Sequence, residues 1–305
     1  MASAAERWPN LFVIGAMRAG TTSLYQVLRS HPEIYMAPVK EPNFFADPKY
    51  KSRTAAAIDT PDETDGSAHR TVVEDESAYL NLFRDARNAR YRGEASPSYL
   101  PSPGCAQRIR RMCEKAMFIV VLRDPIARAI SHYQMDVGIG RVSMSFEQAI
   151  EAEFAGTRIG SDFGYLETGR YWHQLGQWRA ANAGHLFVTS SSEMKDDASA
   201  VLTALAAFLG VQPFDESVRP VSNLGASPRF ALLNRIAYRT GAKALLRRAL
   251  PSRWKERAKE SFYRPADSIP MLAPSTAERL REYYRRDVEA VEAAFSIDLA
   301  EETRQ

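Results

Sequence analysis

Apolar blocks separated by charged, helically spaced stretches run along most of this chain and predict its architecture before any motif is considered. Residues 11–14, Leu-Phe-Val-Ile, form an uninterrupted apolar run of the length and composition of a strand covered on both faces in a parallel sheet. Residues 117–122, Met-Phe-Ile-Val-Val-Leu, form a second, and weaker strand patterns fall at 33–36, 92–100 and 185–189. Helical spacings lie between them. Residues 23–29 form one that should stop near His31 and Pro32, and the basic stretch 107–115 forms another. A third begins at Pro125, whose ring suits a first helical turn, and runs through Arg128, Ser131, His132 and Tyr133. Residues 163–178 carry an aromatic stripe at helical period, most of it expected in the core. An amphipathic helix over 197–209 is ended by Gly210, and a last one over 277–295 places Leu280, Tyr283, Tyr284, Val288, Val291 and Phe295 at helical spacing.

Strands alternating with helices, with no internal repeat and no linker, predict a single α/β domain over residues 1–305. Its centre would be a parallel sheet of about four to five strands flanked by helices. Residues 47–91 break the pattern: they are polar, and 60–70 has no apolar period. They are expected to form a surface excursion near the binding site, its far end pinned by residues 79–83.

Composition narrows the function classes. The chain has 305 residues, 45% of them apolar and 25% charged, as in a globular protein with a sizeable core. A net charge of +3 gives no reason to expect nucleic-acid binding, although it is compatible with a local basic pocket for an anionic nucleotide. The first ten residues lack the apolar centre of a signal peptide, and no apolar run reaches the roughly 18 residues of a membrane span, so a cytoplasmic protein is expected. Cys105 and Cys113 have no nearby histidine cluster, and neither a disulfide framework nor a zinc site is suggested.

Three motifs carry chemistry. In the loop 15–22, Gly-Ala-Met-Arg-Ala-Gly-Thr-Thr, two glycines with four residues between them let the backbone aim its N–H groups at an anion, ahead of a helix whose positive end adds to the attraction. A nucleotide-triphosphatase loop has lysine where this chain has Thr21; here the cation is Arg18, which points to a phosphate-bearing donor other than ATP or GTP. A glycine turn without a ligand is the plainer reading of the loop alone. The second motif, Lys-Glu-Pro-Asn-Phe-Phe at 40–45, follows a strand pattern and the turn Ala37-Pro38, where α/β folds place ligands. Glu41 is therefore a candidate general base, with a solvated surface charge as its bland alternative, and Lys40 has a weaker case. In the third, Arg123 ends a strand and Ser131 stands eight residues on, so both can reach one small anion. Arg128 is read as a salt-bridge partner for Asp124 or Asp136, and His132 as structural.

Residues 15–24 with 40–45 resemble the start of a sulfotransferase that uses 3′-phosphoadenosine 5′-phosphosulfate (PAPS). The likeness is to the branch holding the heparan sulfate O-sulfotransferases and many bacterial carbohydrate or small-molecule sulfotransferases. The pattern RDPxxRxxSxY at 123–133 is similar to that family's site for the donor's 3′-phosphate. The resemblance implies PAPS as donor, 3′-phosphoadenosine 5′-phosphate (PAP) as product and no metal. Donor contacts would come from Arg18, Ala19, Gly20, Thr21, Thr22, Ser23, Arg123 and Ser131, with Arg229 on a lid loop within 222–264. Glu41 falls on the family's base position. Arg18 stands where many relatives have lysine, and arginine stabilises by fixed charge rather than by giving up a proton. The acceptor would be a hydroxyl of a carbohydrate, lipid or natural product, in a pocket lined by 92–100, where some members carry lysine in place of Ala95. A similar G-x-Y-x-x-Q segment suggests that Tyr171 or Gln174 faces the site, and of an acidic turn common in relatives only Glu193 survives. The basic stretch 235–259 reads as a solvated helix face in preference to a peripheral membrane contact. Two rivals stand beside this reading. A P-loop kinase would need the missing loop lysine and a magnesium-binding acid, for which Asp124 is the one candidate, and a catalytically silent nucleotide-binding protein could share the fold.

Overall fold

The computed structural model describes residues 8–50, 73–87, 89–138, 141–160, 164–181, 185–215, 226–228, 263–265 and 272–299. The chain divides into two compact units. The first, Met1–Asp124, Arg170–Ser222 and Arg285–Gln305, contains a five-stranded sheet. Strands β1 (Leu11–Gly15), β2 (Ile34–Met36), β3 (Tyr91–Ala95), β4 (Met117–Leu122) and β5 (Leu186–Ser190) lie in the order β2-β3-β1-β4-β5, and every pairing is parallel. All of β1 and the last five residues of β4 are buried, which is why these central strands carry no polar side chain. Phe12 stacks on Phe118 across that pair with ring centroids 5.7 Å apart, and Trp178 of helix α6 (Tyr171–Ala181) closes on Phe118 at 5.1 Å.

The helices of this unit begin and end for local reasons. Helix α1 (Thr21–Ser30) starts two residues before the expected 23, because Gly20 caps it in the left-handed conformation, and it ends at His31 ahead of Pro32. Helix α3 (Cys105–Met112) starts behind a left-handed Gly104 and stops at Cys113, short of the expected 115. Helix α2 (Glu76–Asn81) lies in the expected excursion; its Tyr79 is fully buried, while 51–72 fall outside the described residues. After β5, where only a turn was anticipated, stands helix α7 (Ser191–Asp196). Its capping box explains why Glu193 is present: the carboxylate accepts from the Ser190 N–H at 2.9 Å and the Thr189 hydroxyl at 2.7 Å. Helix α8 (Ala198–Leu209) runs as expected from an Asp197 cap to a left-handed Gly210.

The second unit, Pro125–Gly169 and Asn223–Tyr284, contains helices α4 (Pro125–Gly138) and α5 (Phe146–Phe154) and an antiparallel pair of short strands, Ala226–Pro228 with Tyr263–Pro265. Arg128 is buried, donates to the Tyr165 carbonyl and lies 3.5 Å from His132 Nδ1. Asp136 is held by Arg141 at 2.5 Å and by the Tyr165 hydroxyl at 2.9 Å. His132 packs edge-on against Tyr165 at 5.2 Å, a structural place as expected. The last helix, α9 (Pro274–Phe295), buries Leu280, Tyr284 and Val291. No helix among the described residues is long and apolar enough to cross a membrane.

Candidate active site

The loop 15–22 leaves the C-terminal end of β1, with β3 on one side and β4 on the other, where an open parallel sheet offers a crevice. Ala16 N–H donates to the Val121 carbonyl at 2.6 Å, tying the loop to β4. Gly20 has a φ of 98°, and helix α1 behind it has no side-chain cap and no acidic residue in its first turn. The leading N–H groups of the helix and its dipole thus face the loop, an arrangement suited to an anion. A Cβ on Gly20 would meet nothing within 4 Å, so that glycine is required for its backbone angle. Gly15 is required for space: a Cβ there would stand 2.7 Å from Leu100 Cβ. Gly15→Ala should lower stability by about 1–3 kcal/mol in a urea titration, as overpacking against a fixed backbone does.

Charged side chains converge on the loop from beyond the ends of β2 and β4. Lys40, after β2, is 5% exposed, and its ammonium donates to Thr22 Oγ1 at 2.8 Å and lies 3.5 Å from Glu41 Oε1. The Glu41 side chain is 15% exposed. Arg123, after β4, places one guanidinium nitrogen 3.5 Å from the Arg18 carbonyl, and its own carbonyl accepts from the Tyr171 hydroxyl at 2.9 Å. Arg18, Thr22, Ser23 and Arg123 are half-buried, and Ala19 and Thr21 are buried. For Lys40 the sequence made a weaker case than for Glu41. With Arg18 already read as the cation of the loop, nothing in the sequence called for a second one, and Lys40 shows itself only through its bond to Thr22.

The segment bearing Glu41 is held against the turn after β3. Glu41 and Asn43 both adopt left-handed backbone angles, φ 60° and 53°, which residues with a Cβ disfavour. Alternate backbone N–H groups are bound in turn. Glu41 donates to the Ala95 carbonyl at 2.9 Å, Asn43 to Ser96 Oγ at 3.1 Å, Phe45 to the Tyr99 hydroxyl at 3.2 Å and Asp47 to Ser102 Oγ at 2.7 Å. Asn43 Nδ2 also holds the Glu41 carbonyl at 2.6 Å, and Phe44 stacks on Tyr79 with centroids 4.2 Å apart. Behind this segment Glu94 is wholly buried and accepts from the Tyr79 and Tyr99 hydroxyls, each at 2.7 Å, and from Ser96 Oγ at 2.6 Å. Burial pushes its carboxyl up to about 7, with the three hydroxyl donors pulling the other way. Because the folded value lies above the usual 4.5, ionisation costs stability: the fold is favoured most below that pH and loses about 3 kcal/mol as pH rises through about 7.

The remaining expected residues are placed as follows. Ser131 is half-buried on α4, in the second unit. Arg229 and the whole of 235–259 lie outside the described residues. Gln174 is buried in α6, and Ala95 is fully buried. Cys105 and Cys113 are free thiols, and burial pushes Cys113 up to about 12.

Comparison with known proteins agrees on one family. A model of the sulfotransferase family matches residues 9–216. Heparan sulfate glucosamine 3-O-sulfotransferase 3B1 of Mus musculus is 26% identical over 205 residues, covering 67% of this chain and 46% of the relative. The membrane-associated sulfotransferase kil1 of Dictyostelium discoideum is 29% identical over 129 residues, covering 42% of this chain and 23% of the relative. The chain thus spans about half the length, or less, of these curated relatives. Among solved structures, a sulfotransferase from Alicyclobacillus acidocaldarius superposes with a TM-score of 0.66 and 26% identity, over 96% of this chain and 98% of that one. Mouse sulfotransferase SULT7A1, complexed with PAP, shares the fold at a TM-score of 0.52 and 15% identity, over 93% and 85% of the two chains.

Proposed function

The chain belongs to the sulfotransferase family, and on that premise we propose that it moves a sulfuryl group from PAPS to a hydroxyl of a carbohydrate, lipid or small-molecule acceptor. The observation that carries this reading is the donor set gathered at the strand ends. Loop amides, Lys40 at 2.8 Å from Thr22 and Arg123 at 3.5 Å from the Arg18 carbonyl stand with one carboxylate, Glu41. Such a set fits a phosphate-bearing anion beside a group that loses a proton.

The roles follow residue by residue. The N–H groups of residues 18–23, the Arg18 guanidinium and the Thr21 and Thr22 hydroxyls hold the 5′ end of the donor. Arg123 holds its 3′-phosphate, joined on the strength of the motif by Ser131, with Arg229 over the adenosine. When bound, the donor supplies an activated sulfuryl group. Glu41 takes the proton of the acceptor hydroxyl as that oxygen attacks, and the cations and amides of the loop stabilise the charge left on the departing phosphate. We propose one sulfotransferase domain over residues 1–305, working in the cytoplasm, a setting that rests on the sequence reading alone.

Lys40 also weighs against a kinase. In a P-loop kinase the hydroxyl after the loop lysine binds magnesium, and Thr22 stands at that position. Here the Thr22 oxygen already accepts from an ammonium at 2.8 Å, and a second cation on the same oxygen would be repelled.

Calorimetric titration with PAP, ATP and AMP tests the reading. Wild-type protein should prefer PAP, and Arg123→Ala should weaken PAP binding by about 10- to 100-fold, the loss of a charged hydrogen-bond donor. Preference for ATP, or equal PAP affinity in the variant, would overturn the donor assignment.

A further inference from the structure

We propose that Glu94 is a positioning residue for catalysis: it orients the hydroxyls of Ser96 and Tyr99 so that their oxygens receive the backbone N–H groups of Asn43 and Phe45, which fixes the segment carrying Glu41. The inference rests on the reading of Glu41 as the base. A hydroxyl has one proton to give and two lone pairs to receive with. Ser96 and Tyr99 both spend that proton on Glu94, at 2.6 and 2.7 Å, and so present lone pairs to Asn43 N–H at 3.1 Å and Phe45 N–H at 3.2 Å. An ionised carboxylate only accepts, so it permits a single orientation of each hydroxyl. A glutamine amide must donate on one side. Placed towards Ser96, its NH2 occupies a lone pair of the hydroxyl and leaves the Ser96 proton without its acceptor, free to turn against the Asn43 N–H; placed towards the tyrosines, it does the same at Tyr99 and the Phe45 N–H.

The consequence reaches Glu41 through two bonds. Asn43 holds the Glu41 carbonyl at 2.6 Å, and both residues keep left-handed backbone angles that the chain would leave if unpinned. Tyr79 offers an internal contrast. It gives its proton to the same Glu94 oxygen as Tyr99, but meets the segment through its ring, stacked on Phe44. The groups facing Glu94 are Tyr79 from α2, Tyr99 and Ser96 from the turn after β3, and Cys105 and Cys113 at the two ends of α3, with Arg108 beside the first thiol and Arg92 beside the second. Burial holds the Glu94 carboxyl near 7, so protonation in that range should loosen the segment as glutamine does.

The test uses the full chain and the variants Glu94→Gln, Tyr99→Phe and Tyr79→Phe. Native-state amide exchange at Asn43 or Phe45, whichever faces the amide NH2, should quicken by about tenfold in Glu94→Gln, the loss of one hydrogen bond, while the amides of loop 15–22 keep their rates. With PAPS and an acceptor found by screening, kcat should fall about 10- to 100-fold in Glu94→Gln and Tyr99→Phe, as misplacement of a catalytic group does. PAP affinity should stay within about twofold, since the loop is pinned separately. Tyr79→Phe should change kcat by less than about threefold, because it removes no partner of a segment N–H. The part of the wild-type loss of kcat that sets in near pH 7 should be absent in Glu94→Gln, leaving the loss that protonation of the base itself brings, and the melting temperature of this variant at pH 8 should match or exceed wild type. Unchanged exchange at Asn43 and Phe45, or kcat falling only in step with PAP affinity and melting temperature, would overturn the proposal. Wild-type protein that fails to bind PAP would instead overturn the sulfotransferase reading, and the exchange result would still decide whether Glu94 pins the segment.

Discussion

Glu41→Gln lowers kcat by about 10³-fold and leaves the PAP dissociation constant within about twofold of wild type, the split expected when a general base is removed and the donor site is left intact. The glutamine is chosen over alanine because Glu41 sits at a φ of 60°, where a change of backbone preference would confuse the result. It keeps the side-chain length and the N–H bond to the Ala95 carbonyl, and removes only the charge and the ability to take a proton. Donor contacts come from other elements, the loop after β1 and Arg123 after β4, and Lys40 beside Glu41 keeps its bond to Thr22 Oγ1 at 2.8 Å. Single-turnover measurements with a screened acceptor, beside calorimetry with PAP, check both halves. Turnover equal to wild type would remove Glu41 as the base without touching the donor site. PAP binding with no turnover of any acceptor in the wild type would favour the silent binding protein.

The parts of this molecule legible in the sequence are those that burial writes in one stretch. Strands β1 and β4 are covered on both faces, so their apolar runs have no polar interruption, and both were bounded within a residue. Helix α1 was visible from its apolar face, but its start was not, since the cap is a glycine whose angle leaves no side-chain signature. Helix α7 has six residues, too few for a period to show, and its capping box was readable only as a surviving glutamate. The site divides in the same way. The loop and Arg123 follow a strand directly and Glu41 stands a short turn after β2; position made them candidates, and the resemblance to the sulfotransferases gave Glu41 its role. Lys40 and Glu94 take their meaning from residues far along the chain, Thr22 in one case and Tyr79 in the other, and nothing local distinguishes them from surface charges. A buried charge declares itself only through its partners.

Lys40→Met should lower kcat/KM for the donor by about 10²- to 10³-fold, the scale of losing one preorganised donor in a water-poor site. Lys40→Arg should not restore it. Methionine keeps most of the apolar stem, so the packing of this 5%-exposed side chain survives while the ammonium goes. Arginine brings the charge but a planar fork of different reach, and it does not readily release a proton. The ammonium acts through Thr22: by donating to Oγ1 at 2.8 Å it leaves the threonine's own proton to point elsewhere, towards an anion in the loop. Two variants tested together separate this from simple charge. If Lys40 works by orienting Thr22, then Thr22→Val and Lys40→Met are not additive, and the double variant is little worse than Lys40→Met alone. Full additivity would mean that Lys40 meets the donor independently of Thr22. A Lys40→Met protein with wild-type PAP affinity and turnover would leave the loop with Arg18 as its working cation.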